Sequence, residues 1–227
     1  MNGTATKTKP DESEQIAKYW NDIANDFDAI YTGKKGPIGR SLDKWLRKDI
    51  YQRYEWVMRE SGSSPDLSGM TICDVGCGSG RFVATLAKRG AQVTGLDFAP
   101  EMLRLSQELV NKEGVADRCK FVLSDVLDWK TDQKFDQVIA IGFWDYVADP
   151  LPRLQVIRSI TKQTFLSAWP RAATLRASIR KVRLKADGCP VYFFTQEQAE
   201  DLLKRAGFRV ESHEILGQLH CIRATAV

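Results

Sequence analysis

A glycine-rich turn constrains this chain more than any other feature. A short strand-forming run, residues 70–75, ends in Gly76-Cys77-Gly78-Ser79-Gly80, and a helical pattern follows at once. A strand that breaks on alternate glycines and resumes as a helix is a nucleotide-binding turn. Glycine tolerates the tight turn and lets a ligand meet the backbone, and the helix N-terminus adds unpaired amide donors. In this reading Ser79 caps a helix that carries Phe82, Val83, Leu86 and Ala87 on one face, and Gly90 ends it.

The alternation continues along the chain. Residues 91–96 form a second strand. Pro100 starts a helix bearing Met102, Leu103, Ser106, Leu109 and Val110, and Gly114 stops it. Strands over 119–123 and 135–141, a helix over 151–160 and a fifth strand over 164–168 follow. Strands that are apolar throughout and alternate with helices predict a parallel sheet covered on both faces. Thr195 and Gln198 have capping-box spacing, Gly207 closes that helix, and strands over 208–213 and 219–225 meet at a turn around Gly217. The predicted fold is α/β: a Rossmann-like, doubly wound, mostly parallel seven-stranded sheet with a C-terminal antiparallel hairpin. Residues 1–12 read as a disordered tail. Residues 13–60 read as a helical lid loaded with aromatics (Tyr19, Trp20, Phe27, Tyr31, Trp45, Tyr51, Tyr54, Trp56), and 61–227 as the main domain, with an insertion at about 169–194.

Composition narrows the class. A chain of 227 residues, 43% hydrophobic and 27% charged, has the size and make-up of one globular domain with a substantial core. No apolar run approaches the roughly 18 residues of a membrane-spanning helix, and the N-terminus has no signal-peptide core, so the expected compartment is the cytoplasm. Five cysteines with no Cys-x-x-Cys spacing read as free thiols, and no metal is expected. A net charge of +4 is too modest to imply nucleic acid by itself.

The neighbours of the glycines discriminate between ligands. Dinucleotide sites use Gly-x-Gly-x-x-Gly, whose third glycine packs helix on strand. Here Arg81 stands in that place, and Asp74 precedes the first glycine, where a carboxylate would sit badly beside a pyrophosphate. S-adenosylmethionine carries a sulfonium and an ammonium, which Asp74 can complement. Asp97 ends the second strand at the distance where an acid takes ribose hydroxyls, and Ser124-Asp125 ends the third, placed to meet an adenine edge. Any one of these acids can equally cap the element that follows it. Three at the carboxyl ends of consecutive strands line the edge where open α/β sheets bind ligands.

Asp74-Val-Gly-Cys-Gly-Ser-Gly80, Gly95-Leu-Asp97, Ser124-Asp125 and Phe135-Asp-Gln-Val-Ile139 together resemble the class I S-adenosylmethionine-dependent methyltransferases. The resemblance implies that Asp74, Gly76 and Gly78 line the methionine part of the donor and that Asp97 takes the ribose diol. It further places Phe98 and Met102 against the adenine, with Asp125 and Val126 at its edge. Ile141 and Gly142 would reach the donor's ammonium, and Cys77 reads as packing. Relatives with a helix like Tyr19-Trp20-Asn21-Asp22 close it over the donor, which makes Tyr19 and Tyr31 lid residues. Each of these aromatics alone can equally be packing on the sheet.

Methyl transfer needs an aligned acceptor, exclusion of water and, for an O-acceptor, removal of a proton. Tyr146 and Asp145, after the fourth strand, are the candidates to orient or deprotonate it; pocket wall and helix cap are their plainer roles. His213 and His220 lie in the hairpin and read as structural. Residues 171–185 carry Arg171, Arg176, Arg180, Lys181, Arg183 and Lys185 without an acid, interleaved with Leu175, Ile179, Val182 and Leu184. On a helix that is a basic amphipathic face, suited to an anionic acceptor, an anionic membrane surface or nucleic-acid phosphates, or simply to solvent. No Asn-Pro-Pro-Tyr-like segment follows the fourth strand, which argues against DNA-base amines. The segments 165–171, 191–195 and 206–208 resemble small-molecule members, magnesium-protoporphyrin O-methyltransferases among them. The leading expectation is methylation of a small molecule, anionic or partly apolar, at oxygen or nitrogen. An RNA methyltransferase using the basic insertion and a nicotinamide-dependent oxidoreductase are the alternatives.

Overall fold

The computed structural model describes residues 15–22, 48–62, 64, 66–172 and 189–227. The tail, Phe27, Tyr31, Trp45 and most of the basic stretch lie outside them. The helices are α1 (15–22), α2 (Lys48–Glu60), α3 (Arg81–Lys88), α4 (Pro100–Lys112), α5 (Pro150–Ile160) and α6 (Gln196–Arg205). The strands are β1 (Thr71–Val75), β2 (Gln92–Asp97), β3 (Cys119–Leu123), β4 (Phe135–Ile141), β5 (Thr161–Pro170), β6 (Phe208–Leu216) and β7 (Leu219–Ala226). They form one seven-stranded sheet in the order β3-β2-β1-β4-β5-β7-β6. The first five strands pair in parallel, and β7 pairs antiparallel with both β5 and β6. This is the expected doubly wound fold with its terminal hairpin.

Burial explains the layers. Along β4, Val138 and Ala140 enter one core cluster while Ile139 and Ile141 enter the other; along β5, Phe165 and Trp169 are divided from Leu166 and Ala168 in the same way. Period-two alternation with both faces apolar is the mark of a strand sandwiched between helices. α3 covers one face with Val83, Ala84, Leu86 and Ala87, and α4 covers it with Met102, Ser106 and Val110 at successive i, i+4 positions. On the other face Leu154 and Ile157 of α5 pack with Leu203 of α6. Trp144 and Trp169, both fully buried, stack in this layer with ring centroids 4.3 Å apart and planes 4° from parallel.

Three local expectations are corrected. Ser79 does not cap α3: the N-cap is Gly80, left-handed at φ 76, with no side-chain bond. Gly76 and Gly78 also have positive φ, so the turn enters the helix through glycine conformations rather than through a hydroxyl cap. β3 is not buried throughout; it is the sheet's edge, alternately half-buried and exposed, with Leu123 open to solvent. β5 begins three residues early and runs to Pro170, because its polar start is carried by pairing with Phe135 and Gln137 of β4 rather than by apolar character. The capping box on α6 is as expected: Gln198 N–H donates to Thr195 Oγ1, and Thr195 N–H donates to Gln198 Oε1.

Candidate functional site

Strand order reverses at β1, whose neighbours are β2 and β4, so the crevice beyond the carboxyl ends of these strands is the expected ligand site. Asp74 sits in β1 between Gly95 and Ile139, almost wholly buried, and its Oδ2 has no hydrogen-bond partner. Burial and the nearby Asp97 raise its carboxyl to about 8. A buried acid with an unsatisfied oxygen is costly in isolation and suits a cationic ligand.

The glycine loop begins two residues after this acid. Gly76 and Cys77 donate their N–H groups to Leu96 O, stitching the loop to β2. A Cβ on Gly76 would lie 2.9 Å from Phe143 Cδ2, so glycine is needed for the strands' carboxyl ends to approach. At Gly78 the space beyond the backbone is open, as a ligand cradle requires. Cys77 is buried against Gly95, and burial with Asp97 and Asp74 nearby holds its thiol well above the ordinary range, which fits packing rather than nucleophilic chemistry. Asp97 Oδ2 accepts from Gly78 N–H at 2.9 Å and Oδ1 from Ala99 N–H at 2.9 Å. Burial still raises its carboxyl, against the lowering effect of the Ala99, Gly78 and Phe98 amides.

Past Asp97, the structure gathers Ala99, Met102, Phe98, Leu105 and Trp20 in one small apolar cluster. Phe98 and Met102 are therefore together, and the aromatic that joins them from the N-terminal region is Trp20. Ser124 N–H donates to Asp97 O, which ties the ends of β2 and β3. Val126 is buried. Asp125 is engaged within the chain: Oδ1 accepts from Leu127 N–H at 2.9 Å and Oδ2 from Arg153 Nη2 at 3.1 Å. Arg153 lies 28 residues away on α5, and no sequence signal marked it.

On the β4 side, Ile141 is buried and Gly142 has a φ of 76, with Arg53 Nη1 3.1 Å from where its Cβ would stand. Sequence reasoning missed Arg53, since a cation on a helix 89 residues upstream leaves no local pattern. Asp145 and Tyr146 sit in a 3-10 turn, Trp144–Tyr146. Asp145 is buried, and its carbonyl accepts from Tyr192 N–H at 2.8 Å. Tyr146 joins a second aromatic cluster with Ile16, Tyr19, Trp20, Phe98, Val191 and Phe193. Trp20 meets Tyr146 edge-on at 5.3 Å, and Asn21 Oδ1 accepts from Glu101 N–H at the start of α4. The helix α1 thus lies across both Phe98 and Tyr146. Tyr31 falls outside the described residues.

His213 Nε2 and His220 Nδ1 are hydrogen-bonded to each other at 3.0 Å across the hairpin, and burial lowers His220, in keeping with a structural role. Among the described residues no group of three or more His, Cys, Asp or Glu could hold a metal ion, and no helix is long and apolar enough to cross a membrane.

A methyltransferase-domain family matches residues 66–207, more than half of the chain. The ubiquinone biosynthesis O-methyltransferase of Colwellia psychrerythraea is 27% identical over 171 residues, covering 75% of this chain and 65% of that protein. Its namesake in Pseudomonas paraeruginosa is 30% identical over 118 residues, covering 51% of this chain and 49% of that one. The chain therefore spans about half to two thirds of the length of the curated relatives it matches. Among solved structures, magnesium protoporphyrin IX methyltransferase from Synechocystis PCC 6803 with bound SAH superposes with a TM-score of 0.75 at 18% identity, covering 96% of this chain and all of that one. That likeness is one of fold.

Proposed function

Because this chain belongs to the class I S-adenosylmethionine-dependent methyltransferase family, we propose that it transfers the donor's methyl group to an oxygen or nitrogen of a small-molecule acceptor. The observation that carries the donor reading is Asp74: a buried carboxylate whose Oδ2 lacks a partner, beside the open backbone of Gly78. A pyrophosphate offers no positive charge for that buried acid to pair with, which with Arg81 in place of a third glycine argues against the nicotinamide alternative.

When bound, the donor supplies a carbon activated by its sulfonium; the acceptor's lone pair forms the new bond as the carbon–sulfur pair returns to sulfur. The chain's own part is placement. Asp74 balances the donor's positive charge, with Gly76, Cys77 and Gly78 forming the wall around it. Arg53, against Gly142 and next to Ile141, offers a cation to a carboxylate at that end. Asp97 takes the ribose hydroxyls. Phe98, Met102 and Trp20 enclose the adenine, with Ser124, Asp125 and Val126 at its edge. On the acceptor side, Tyr19, Trp20, Tyr146 and Phe193 make an aromatic wall that excludes water. Asp145 or Tyr146 receives or relays the acceptor's proton. The aromatic wall and the small-molecule relatives favour a partly apolar acceptor; the basic stretch at 171–185 favours one that also carries negative charge.

Calorimetry tests the donor. S-adenosylmethionine and its demethylated product should bind and NAD should not, with binding abolished in Asp97→Ala; a chain that binds the dinucleotide instead refutes the reading. Labelled donor with a metabolite panel then identifies the acceptor. RNA affinity that falls steeply with salt would favour an RNA acceptor.

A further inference from the structure

The glycine loop is held from behind by a helix residue. Ser106 is fully buried in the middle of α4, where an apolar side chain would avoid the cost of burying a hydroxyl. A serine inside a helix commonly bonds a carbonyl one turn back in its own helix. Ser106 Oγ instead donates to Gly78 O at 2.6 Å, 28 residues away. The fit is close: a Cβ on Gly80 would stand 2.8 Å from Ser106 Oγ and 3.1 Å from its Cα. The Cys77 thiol also lies within hydrogen-bonding range of this hydroxyl.

Gly78 needs such a clamp. It has a φ of 53, and among the described residues other than its chain neighbours no heavy atom lies within 4 Å of where its Cβ would be, so no packed side chain there fixes its backbone. Glycine without neighbours samples more conformations than any other residue. Hydrogen bonds pin it from opposite sides: its carbonyl accepts from Ser106 at 2.6 Å and, more weakly, from the Cys77 thiol at 3.9 Å, and its N–H donates to Asp97 Oδ2 at 2.9 Å. The carbonyl and the N–H belong to the two peptide units that meet at the Gly78 Cα, so removing the Ser106 bond frees the dihedrals that set the direction of the N–H.

We propose that Ser106 is a positioning residue for the donor: its hydroxyl holds Gly78 in the conformation whose N–H meets Asp97, and thereby aims the Asp97 carboxylate at the ribose. The last step rests on the ribose reading given above; the clamp itself does not.

Two measurements on the full chain separate them. The first needs no ligand. Carboxyl-carbon NMR follows the titration of Asp97 in the wild type, Ser106→Ala and Ser106→Thr. The Gly78 N–H is one of the donors that lower the Asp97 carboxyl, so Ser106→Ala should move its midpoint upward, while Ser106→Thr, which keeps the hydroxyl, should leave it in place. The second compares binding of S-adenosylhomocysteine with that of its 2′-deoxy analogue. Loss of one hydrogen bond should weaken the first about five- to tenfold in Ser106→Ala and shrink its preference over the analogue, as in Asp97→Asn. An unmoved Asp97 midpoint in Ser106→Ala, or a Ser106→Thr that behaves like alanine, overturns the proposal. So does equal weakening of both ligands, the result of a merely structural role. If Asp97→Asn leaves the ribose preference unchanged, the ribose reading fails, and the NMR midpoint alone decides the clamp.

Discussion

Asp74 concentrates the chemistry of the site in one residue. Burial and Asp97 raise its carboxyl from 3.8 to about 8. The ligand-free folded chain therefore holds a proton that the unfolded chain releases at much lower pH. From about pH 4 up to about 8 this group makes the empty fold less stable as pH rises, and beyond that its contribution is flat. A cationic donor favours the ionised form, so donor affinity should climb over the same interval, with a proton released on binding. Asp74→Asn should remove that slope. It should raise the melting temperature of the empty protein at pH 8 by about 2–4 °C and weaken donor binding on the order of ten- to a hundredfold. Thermal melts and calorimetry across pH read both, and a variant that melts lower while binding normally would show that the carboxylate does not face the donor.

At the level of elements, the hairpin and α6 offer the cleanest separation of stability from binding. The Thr195–Gln198 box satisfies two orphan amides at the start of α6. Thr195→Ala should cost about 1 kcal/mol in denaturant unfolding and leave donor affinity unchanged; a change in affinity would tie α6 to the site. This box, the glycine stops and most strands were legible because each rests on neighbours in sequence: a cap three residues from its partner, or a glycine directly after an apolar run. What escaped depends on pairing between distant segments. The polar start of β5 is a strand only because β4 lies alongside it. β3 is half-exposed at the end of the sheet, where among the described residues no strand pairs with its outer edge, and its own apolar residues do not announce that. Within the candidate site, Asp74, Asp97 and the glycines carry a local pattern. Arg53, Arg153 and the Ser106 hydroxyl reach their partners across 28 to 89 residues and carry none.

Across the whole molecule, α1 joins the two halves of the crevice, touching the Phe98–Met102 side and the Tyr146–Phe193 side through Trp20 and Tyr19. Sequence reasoning named Tyr19 and Tyr31 as lid residues here; Tyr31 lies outside the described residues, Tyr19 joins the Tyr146 cluster, and Trp20 touches both sides. Trp20→Ala should weaken S-adenosylhomocysteine about tenfold, as loss of an aromatic anchor does. In the wild type the same ligand should slow amide exchange over residues 15–22. Unchanged exchange there would reduce the helix to packing. Movement at this crevice has a built-in witness. Trp144 opens the turn that carries Asp145 and Tyr146, and its indole lies face to face with that of Trp169 at 4.3 Å. Rings that close share their electronic excitation, so the near-ultraviolet circular dichroism and the emission of this pair register small changes in their separation. Any ligand that shifts the turn thus writes an optical signal, with no label attached to the chain.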